Sequence, residues 1–172
     1  DMAKALRLLK QALAIDDQHA GLWYDVAKCY ESIGQFDQAR DAYIRSKELD
    51  VCPLRIIEPL RDVLMEVARD TNTTVIPVHE FFVEQCEHRI PGGFLLVDHV
   101  HPSISGHQLI ADLLVDEMVS HGWTHPRSDW KAERNQRYED HVTTLGDIYY
   151  LDGQRRLRGL QSWAQGRSTR EE

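Results

Sequence analysis

Large and small side chains recur 34 positions apart in the first fifty residues, and this period constrains the fold more than any other feature. The corresponding pairs are Ala5 and Ala39, Leu9 and Tyr43, and Ala12 and Ser46. Small residues recur where two helices must approach closely, and bulky residues recur where the space between helices must be filled. The period therefore predicts a repeated unit of paired helices.

Hydrophobic periodicity places three helices in this stretch. Residues 2–15 carry apolar groups at the spacing of one buried helical face. A second helix is predicted from about Ala20 to Ile33, and Gly34 ends it because glycine readily adopts the left-handed conformation of a helix C-cap. A third is predicted over about 36–49, with Asp37 in its first turn, where a negative charge suits the helix dipole.

The order of large and small residues within one unit resembles that of the tetratricopeptide repeat (TPR). The residues that carry the resemblance are Trp23, Val26, Ala27, Tyr30, Gly34, Ala39, Tyr43 and Ser46. The match covers about one and a half repeats. It implies a TPR-like helical repeat over residues 1–51 whose surface binds a protein partner, with a spacer or packing module as the alternative.

The character of the chain changes after Val51-Cys52-Pro53, because proline cannot continue a helix. Residues 54–69 are predicted to form an amphipathic helix, with apolar side chains along one side. The β-branched run from Thr73 to Val78 predicts a short buried strand. A helix followed by a strand is typical of an α/β layer structure.

The main candidate for chemistry is a carboxylate three residues before a histidine, in Asp98-His99-Val100-His101-Pro102. Asp98 and His101 can reach one another within a single loop. A carboxylate on one ring nitrogen sets the tautomer and tilt of a histidine and stabilises the imidazolium that forms when the ring accepts a proton. Pro102 favours an extended backbone at His101. The pattern predicts a general base with its orienting acid, although a structural hydrogen bond is an alternative.

The stretch from Phe94 to His107 resembles the last sequence block of the SGNH, or GDSL-type, hydrolases, in which Asp-x-x-His-Pro precedes a glycine and the final helix. Gly106 to Ala111 fills the glycine-containing part. The resemblance covers about residues 54–121. It implies a three-layer α/β fold for the full-length protein, with residues 52–123 as the C-terminal portion of the hydrolase domain. It also implies a serine ester hydrolase acting on an ester substrate, in which His101 is the general base and Asp98 orients it.

The other blocks of that family are missing from this sequence. No serine follows a strand with Gly-Asp before it, and the oxyanion-hole glycine and asparagine blocks are not found. Ser103 is interpreted as a loop residue and Ser105 as the N-cap of a helix over about 106–120. We therefore expect the nucleophilic serine upstream in a longer protein, and these residues alone to be nearly inactive. The alternative is a TPR interaction module in which Asp98 and His101 are a non-catalytic hydrolase remnant.

Residues 124–172 are predicted to be a helical tail with a degenerate TPR-like half. This prediction rests on four residues that correspond to the first repeat at an offset of 119. They are Leu145, Gly146, Tyr149 and Gly153, which correspond to Val26, Ala27, Tyr30 and Gly34. Arg155, Arg156 and Arg158 are interpreted as a solvated face, and residues 166–172 as disordered. The chain itself is expected to be mainly α, with TPR-like helical hairpins and a few short strands.

Charge, hydropathy and cysteine spacing limit the kinds of partner and cofactor that the sequence predicts. The net charge of −8 argues against nucleic acid, and no apolar run is long enough to cross a membrane. The three cysteines have no metal-like spacing, and Cys29 is interpreted as a packed thiol. No metal or cofactor is predicted, because the histidines lack paired ligand spacing and Gly92-Gly93 lacks the spacing of a phosphate-binding loop. His99 is interpreted as a surface residue beside the catalytic pair.

Overall fold

A computed structural model describes residues 1–98 and 100–164, with only the backbone described at 163 and 164. The described residues divide into two compact units, residues 1–113 and those from 114 onward. The described residues are mainly helical, as predicted. The helices are α1 (Met2–Leu13), α2 (Ala20–Ser32), α3 (Phe36–Glu48), α4 (Glu58–Asp70), α5 (Val78–Gln85), α6 (Ile104–Ser120), α7 (Trp130–Thr144) and α8 (Asp147–Ala164), and a 3-10 turn spans Glu87–Arg89.

Helices α1, α2 and α3 pack around the hydrophobic core of the first unit. The buried residues of this core are Leu6, Val26, Ala27, Cys29 and Ala42. Ala27 and Ala39 are fully buried, and their small side chains let neighbouring helices approach closely. Gly34 follows α2 with a φ of +77°, the left-handed conformation that glycine adopts without strain. The three predicted helices and the packed Cys29 thiol are thus confirmed.

The ends of these helices are held by hydrogen bonds from nearby polar groups. The Asp1 carboxylate accepts from the amide of Lys4 at 3.3 Å and caps α1. The ring of His19 caps α2 by accepting from the amide of Leu22 at 3.3 Å. Across the helix pair, the hydroxyl of Ser46 donates to the carbonyl of Ala20 at 2.9 Å. The first two bonds satisfy amides that a helix leaves unpaired at its start, and so help to define where α1 and α2 begin. The bond from Ser46 instead connects α3 to the first turn of α2.

A network of charged side chains joins α3 to α4 and α5. Lys47 pairs with Glu58, and Arg61 pairs with both Glu58 and Glu80. The Glu48 carboxylate accepts from the Glu58 amide at 2.9 Å, at the start of α4. The hydrogen bond from Lys47 lowers the pKa of Glu58 against the opposing effect of burial. Partly buried ion pairs therefore connect the repeat-like helices to the segment that follows them.

The strand predicted over Thr73–Val78 does not form. Residues 73–77 are irregular, and Val78 begins α5. Within residues 1–98 and 100–164, the strand-type pairing is confined to an isolated antiparallel bridge between Leu96 and Pro102. A β-branched run becomes a strand only where another strand pairs with its backbone groups, and no described segment pairs with this one.

The predicted amphipathic helix over residues 54–69 forms as α4, although it begins at Glu58. Its apolar side is largely uncovered. Leu60, Val63, Leu64 and Val67 each remain at least half exposed. A helix face of this kind usually packs against another layer of structure.

In the second unit, the predicted continuous helical pattern from Trp130 to Gly153 is interrupted. Helix α7 ends at Thr144, and α8 begins at Asp147. Gly153 lies inside α8, whereas its sequence counterpart Gly34 follows the end of α2. Gly153 therefore does not end a helix as Gly34 does. The degenerate TPR-like half in residues 124–172 stays a prediction.

The arginines of α8 lie on an exposed face, as predicted, and Arg155 pairs with Asp152 at 3.6 Å. The disorder predicted for residues 166–172 lies outside the described residues. In the part of the chain that the structure describes, no helix is long and apolar enough to span a bilayer.

Candidate functional site

Asp98 and His101, which we call the candidate pair, lie in a narrow loop between the bridged residues Leu96 and Pro102. The amide of Val97 donates to the carbonyl of His101 at 2.8 Å. One step further out, the amide of Ser103 donates to the carbonyl of Leu95 at 2.8 Å. These two bonds flank the bridge in the pattern of an antiparallel pair, so the loop closes on itself.

The carboxylate of Asp98 is the centre of this loop. Its Oδ1 atom accepts hydrogen bonds from the amides of Val100 and His101, both at 2.8 Å. Its Oδ2 atom lies 2.8 Å from Nδ1 of the His101 ring. The Asp98 side chain is 10% exposed, whereas the His101 side chain is 72% exposed. The acid is therefore enclosed by the loop while the ring that it contacts faces outward.

The hydrogen bonds to Asp98 favour its ionised form. Burial by itself would raise the pKa of this carboxyl group, but the amides of His101 and Val100, together with the His101 ring, outweigh burial and lower the pKa to about 2. Asp98 is thus an anion at neutral pH. An anion opposite Nδ1 favours the tautomer in which Nδ1 carries the proton, and this leaves Nε2 with a free lone pair.

No hydrogen bond among residues 1–98 and 100–164 uses Nε2 of His101. The free lone pair of Nε2 can accept a proton from a hydroxyl group placed within about 3 Å. Asp98 would then stabilise the imidazolium. The structure brings together both site residues that the sequence predicted, and their contact would suit either a base with its orienting acid or a structural hydrogen bond.

The N-cap of α6 is Ser103 and not Ser105, which corrects the sequence-based assignment. The hydroxyl of Ser103 accepts from the amide of Gly106 at 3.0 Å, and α6 begins at Ile104. The predicted start near Gly106 was therefore two residues late. An N-cap side chain bonds the amide two or three positions later. From Ser103 that position is Gly106, but Ser105 has equally available amides at the same spacing, so no local signal in the sequence distinguished the two serines.

Neither loop serine is placed as a partner of His101. The Ser103 hydroxyl donates to the carbonyl of Phe94 at 2.7 Å, and its oxygen accepts from Gly106. Ser105 is half-buried within the first turn of α6. Ser103 lies outside the helix, as interpreted from the sequence, but it also caps α6.

The remaining histidines have other surroundings. His88 stacks on Phe36 with ring centroids 3.3 Å apart, and His121 packs against Trp123 at 4.7 Å. His99 lies outside the described residues. In the described ranges, no group of three or more histidine, cysteine, aspartate or glutamate side chains is arranged to hold a metal ion.

A second surface of interest lies on the α2–α3 pair, where sequence analysis named no site residue. We call it the Tyr24 patch, and it consists of Tyr24, Lys28, Glu31 and Tyr43. The two tyrosine rings lie 5.6 Å apart, and Nζ of Lys28 lies 5.7 Å from the centre of the Tyr24 ring. The Tyr43 hydroxyl donates to Glu31 at 2.6 Å, and burial together with this acceptor raises the pKa of Tyr43.

Tyr24 is 48% exposed, so the Tyr24 patch offers an aromatic face beside a cation and an anion. Aromatic residues with a polar edge are common where proteins bind one another. In the sequence, Tyr24 follows Trp23 of the repeat pattern, but exposure depends on which side of α2 faces α1 and α3.

Comparison with known proteins relates the first fifty residues to a protein family. The family described as Tetratricopeptide repeat matches residues 1–50. No curated protein and no solved structure matches the chain. The matched residues end within two positions of α3, so they coincide with the α1–α3 core. Residues 1–50 are therefore similar to a tetratricopeptide repeat, and the match supports a helical module for protein interaction.

Proposed function

We propose that this chain is a protein-interaction module whose α2–α3 pair binds a peptide segment of a partner protein. The observation that carries the proposal is the coincidence of the TPR match with the packed α1–α3 core. Helix-pair repeats present their side chains on rigid surfaces, so a partner is bound without folding of the repeat itself.

The Tyr24 patch is the part of this surface that we assign to the partner. The Tyr24 ring presents apolar area with little conformational freedom to lose, and Lys28 and Glu31 beside it provide charged hydrogen-bonding groups. Clusters of this type concentrate binding energy in a few side chains.

The proposal is tested by placing a photo-crosslinking amino acid at position 24 of the whole chain and, as a matched control, at position 149. Tyr149 lies on α8 and is 55% exposed, similar to Tyr24. We expect position 24 to capture a defined partner that position 149 does not, and Tyr24→Glu to abolish co-purification of that partner. Capture of the same proteins from both positions would contradict the proposal.

A second function is supported by the candidate pair. In this second proposal the protein is a serine ester hydrolase, and this chain contributes the general base His101 and its orienting acid Asp98. A serine hydroxyl supplied by polypeptide outside these 172 residues attacks the ester carbonyl while Nε2 of His101 accepts its proton. The imidazolium returns that proton to the departing alcohol, and water then releases the acyl group by the same route. Supporting this are the 2.8 Å contact between Asp98 and His101 and the exposure of the ring.

The segment before the candidate pair is consistent with a missing α/β layer. Helix α4 leaves its apolar side largely exposed, and the β-branched residues 73–76 have no strand partner among the described residues. An α/β sheet would account for both features, because it would cover the apolar side of α4 and provide a strand to pair with residues 73–76. The three-layer hydrolase fold therefore belongs to this second proposal.

The hydrolase proposal is tested with the full-length natural protein that contains this chain. We expect it to hydrolyse p-nitrophenyl acetate, and His101→Ala to lower the rate by about a thousandfold. The control is His107→Ala, which removes an exposed histidine from α6 of the same unit. Equal rates for the unmodified protein and His101→Ala would leave the candidate pair as a non-catalytic remnant.

A further inference from the structure

Three hydrogen bonds of one serine connect the two ends of the loop that carries the candidate pair. The Ser103 hydroxyl donates to the carbonyl of Phe94 at 2.7 Å, where the loop begins. The same oxygen accepts from the amide of Gly106 at 3.0 Å, in the first turn of α6. The amide of Ser103 donates to the carbonyl of Leu95 at 2.8 Å.

The backbone held by these bonds has little room to move. Leu95 is completely buried, so the entry to the loop is fixed in the interior of the unit. Gly106 packs so closely against the Leu95 carbonyl that a Cβ atom at position 106 would overlap it. The absence of a side chain at Gly106 lets α6 approach the loop, and the Ser103 hydroxyl bridges the two at this point of closest approach.

We propose that Ser103 is a positioning residue for His101, because its hydroxyl joins the loop entry to α6 and so holds the imidazole against Asp98 with Nε2 exposed. The proposal rests on the second proposed function, in which His101 is the general base.

The connection from Ser103 to His101 is short. Pro102 alone separates the two residues, and proline limits backbone rotation at the position between them. The bond from the Val97 amide to the His101 carbonyl depends on the same loop closure. If the hydroxyl is removed, only the hydrogen bond from the Ser103 amide to the Leu95 carbonyl still holds the loop entry to residue 103. The His101 ring can then leave its contact with Asp98 more often.

The test is nuclear magnetic resonance of the whole chain with 15N-labelled histidine. The ring nitrogen shifts of His101 report which nitrogen carries the proton, and the exchange of the Nδ1 proton with water reports how long the Asp98 contact persists. We expect Ser103→Ala to raise this exchange rate by about tenfold, the factor that corresponds to roughly one or two net hydrogen bonds. We also expect it to mix the two ring tautomers.

Three variants separate positioning from folding. Ser103→Thr keeps the hydroxyl and is expected to restore the unmodified spectrum. Ser105→Ala removes the other serine of the same turn and is expected to change nothing. Ser103→Asp keeps an oxygen that caps α6 but has no hydrogen to donate to the Phe94 carbonyl, so we expect a folded helix with a disturbed His101 signal.

An unchanged His101 tautomer and exchange rate in both Ser103→Ala and Ser103→Asp would overturn the proposal. Because this measurement needs no hydrolysis, its failure is distinct from failure of the hydrolase proposal. If His101→Ala left ester hydrolysis by the full-length protein unchanged, the catalytic role of His101 would be rejected. The effect of Ser103 on the His101 spectrum would still stand.

Discussion

Replacement of Asp98 by asparagine should remove a pH-dependent part of the stability of the first unit. The carboxylate accepts hydrogen bonds from the amides of Val100 and His101 and from the His101 ring. Asparagine retains one carbonyl oxygen for the amides but carries no charge. Its amino group would donate to Nδ1 of His101 and so favour the opposite ring tautomer.

The magnitude follows from the pKa of Asp98. The structure lowers this pKa from 3.8 to about 2, and the difference corresponds to about 2 kcal/mol of folding free energy when the group is ionised. Because the pKa is lower in the folded state, the stabilisation is fully present above about pH 5. It is lost as the pH falls from about 4 through 2, where the folded state also takes up the proton.

The assay is urea unfolding of the unmodified chain and Asp98→Asn at several pH values, followed by the amide resonances of Val100 and Leu95. We expect the free energies of unfolding to differ by about 2 kcal/mol at pH 7 and to converge near pH 2. Asp62→Asn, at an exposed position on α4, serves as the control with a small effect. A difference between Asp98→Asn and the unmodified chain that does not change with pH would refute the argument.

Two further substitutions test the packing of the first unit. Gly106→Ala should lower the free energy of unfolding by about 1–3 kcal/mol, because the added methyl group would overlap the Leu95 carbonyl, whereas Gly159→Ala, with open space around it in α8, should be neutral or slightly stabilising; equal effects on thermal unfolding would contradict this. Ala27→Leu should cost about 1–3 kcal/mol because Ala27 is fully buried between helices, while Ala14→Leu at an exposed position should cost little, as measured by urea unfolding. A stable Ala27→Leu variant would show that the core has space that the structure does not contain.

Predictions from the sequence were accurate where the interactions are local. The bounds of α2 followed from helical periodicity and from Gly34, since both depend on a few neighbouring residues. The contact between Asp98 and His101 could also be predicted from the sequence, because a separation of three positions in one loop brings the two side chains within reach. Local geometry is the property that a single sequence specifies most directly.

Predictions failed where a distant group decides the outcome. The run from Thr73 to Val78 has strand-forming residues, but a strand requires a pairing partner that residues near it do not supply. Ser105 is as suitable a helix cap as Ser103 by residue type. Ser103 was selected because its hydroxyl also reaches Phe94, on the other side of the loop.

The amino-acid sequence by itself determined the repeat-like helices of residues 1–50 and the pairing of an acid with a histidine, because periodic side chains and short loops act over a few residues. Tertiary packing decided the exposure of the His101 ring, the enclosure of Asp98 and the close approach of Gly106 to Leu95. These depend on burial and on contacts between segments, which arise only when the chain folds back on itself.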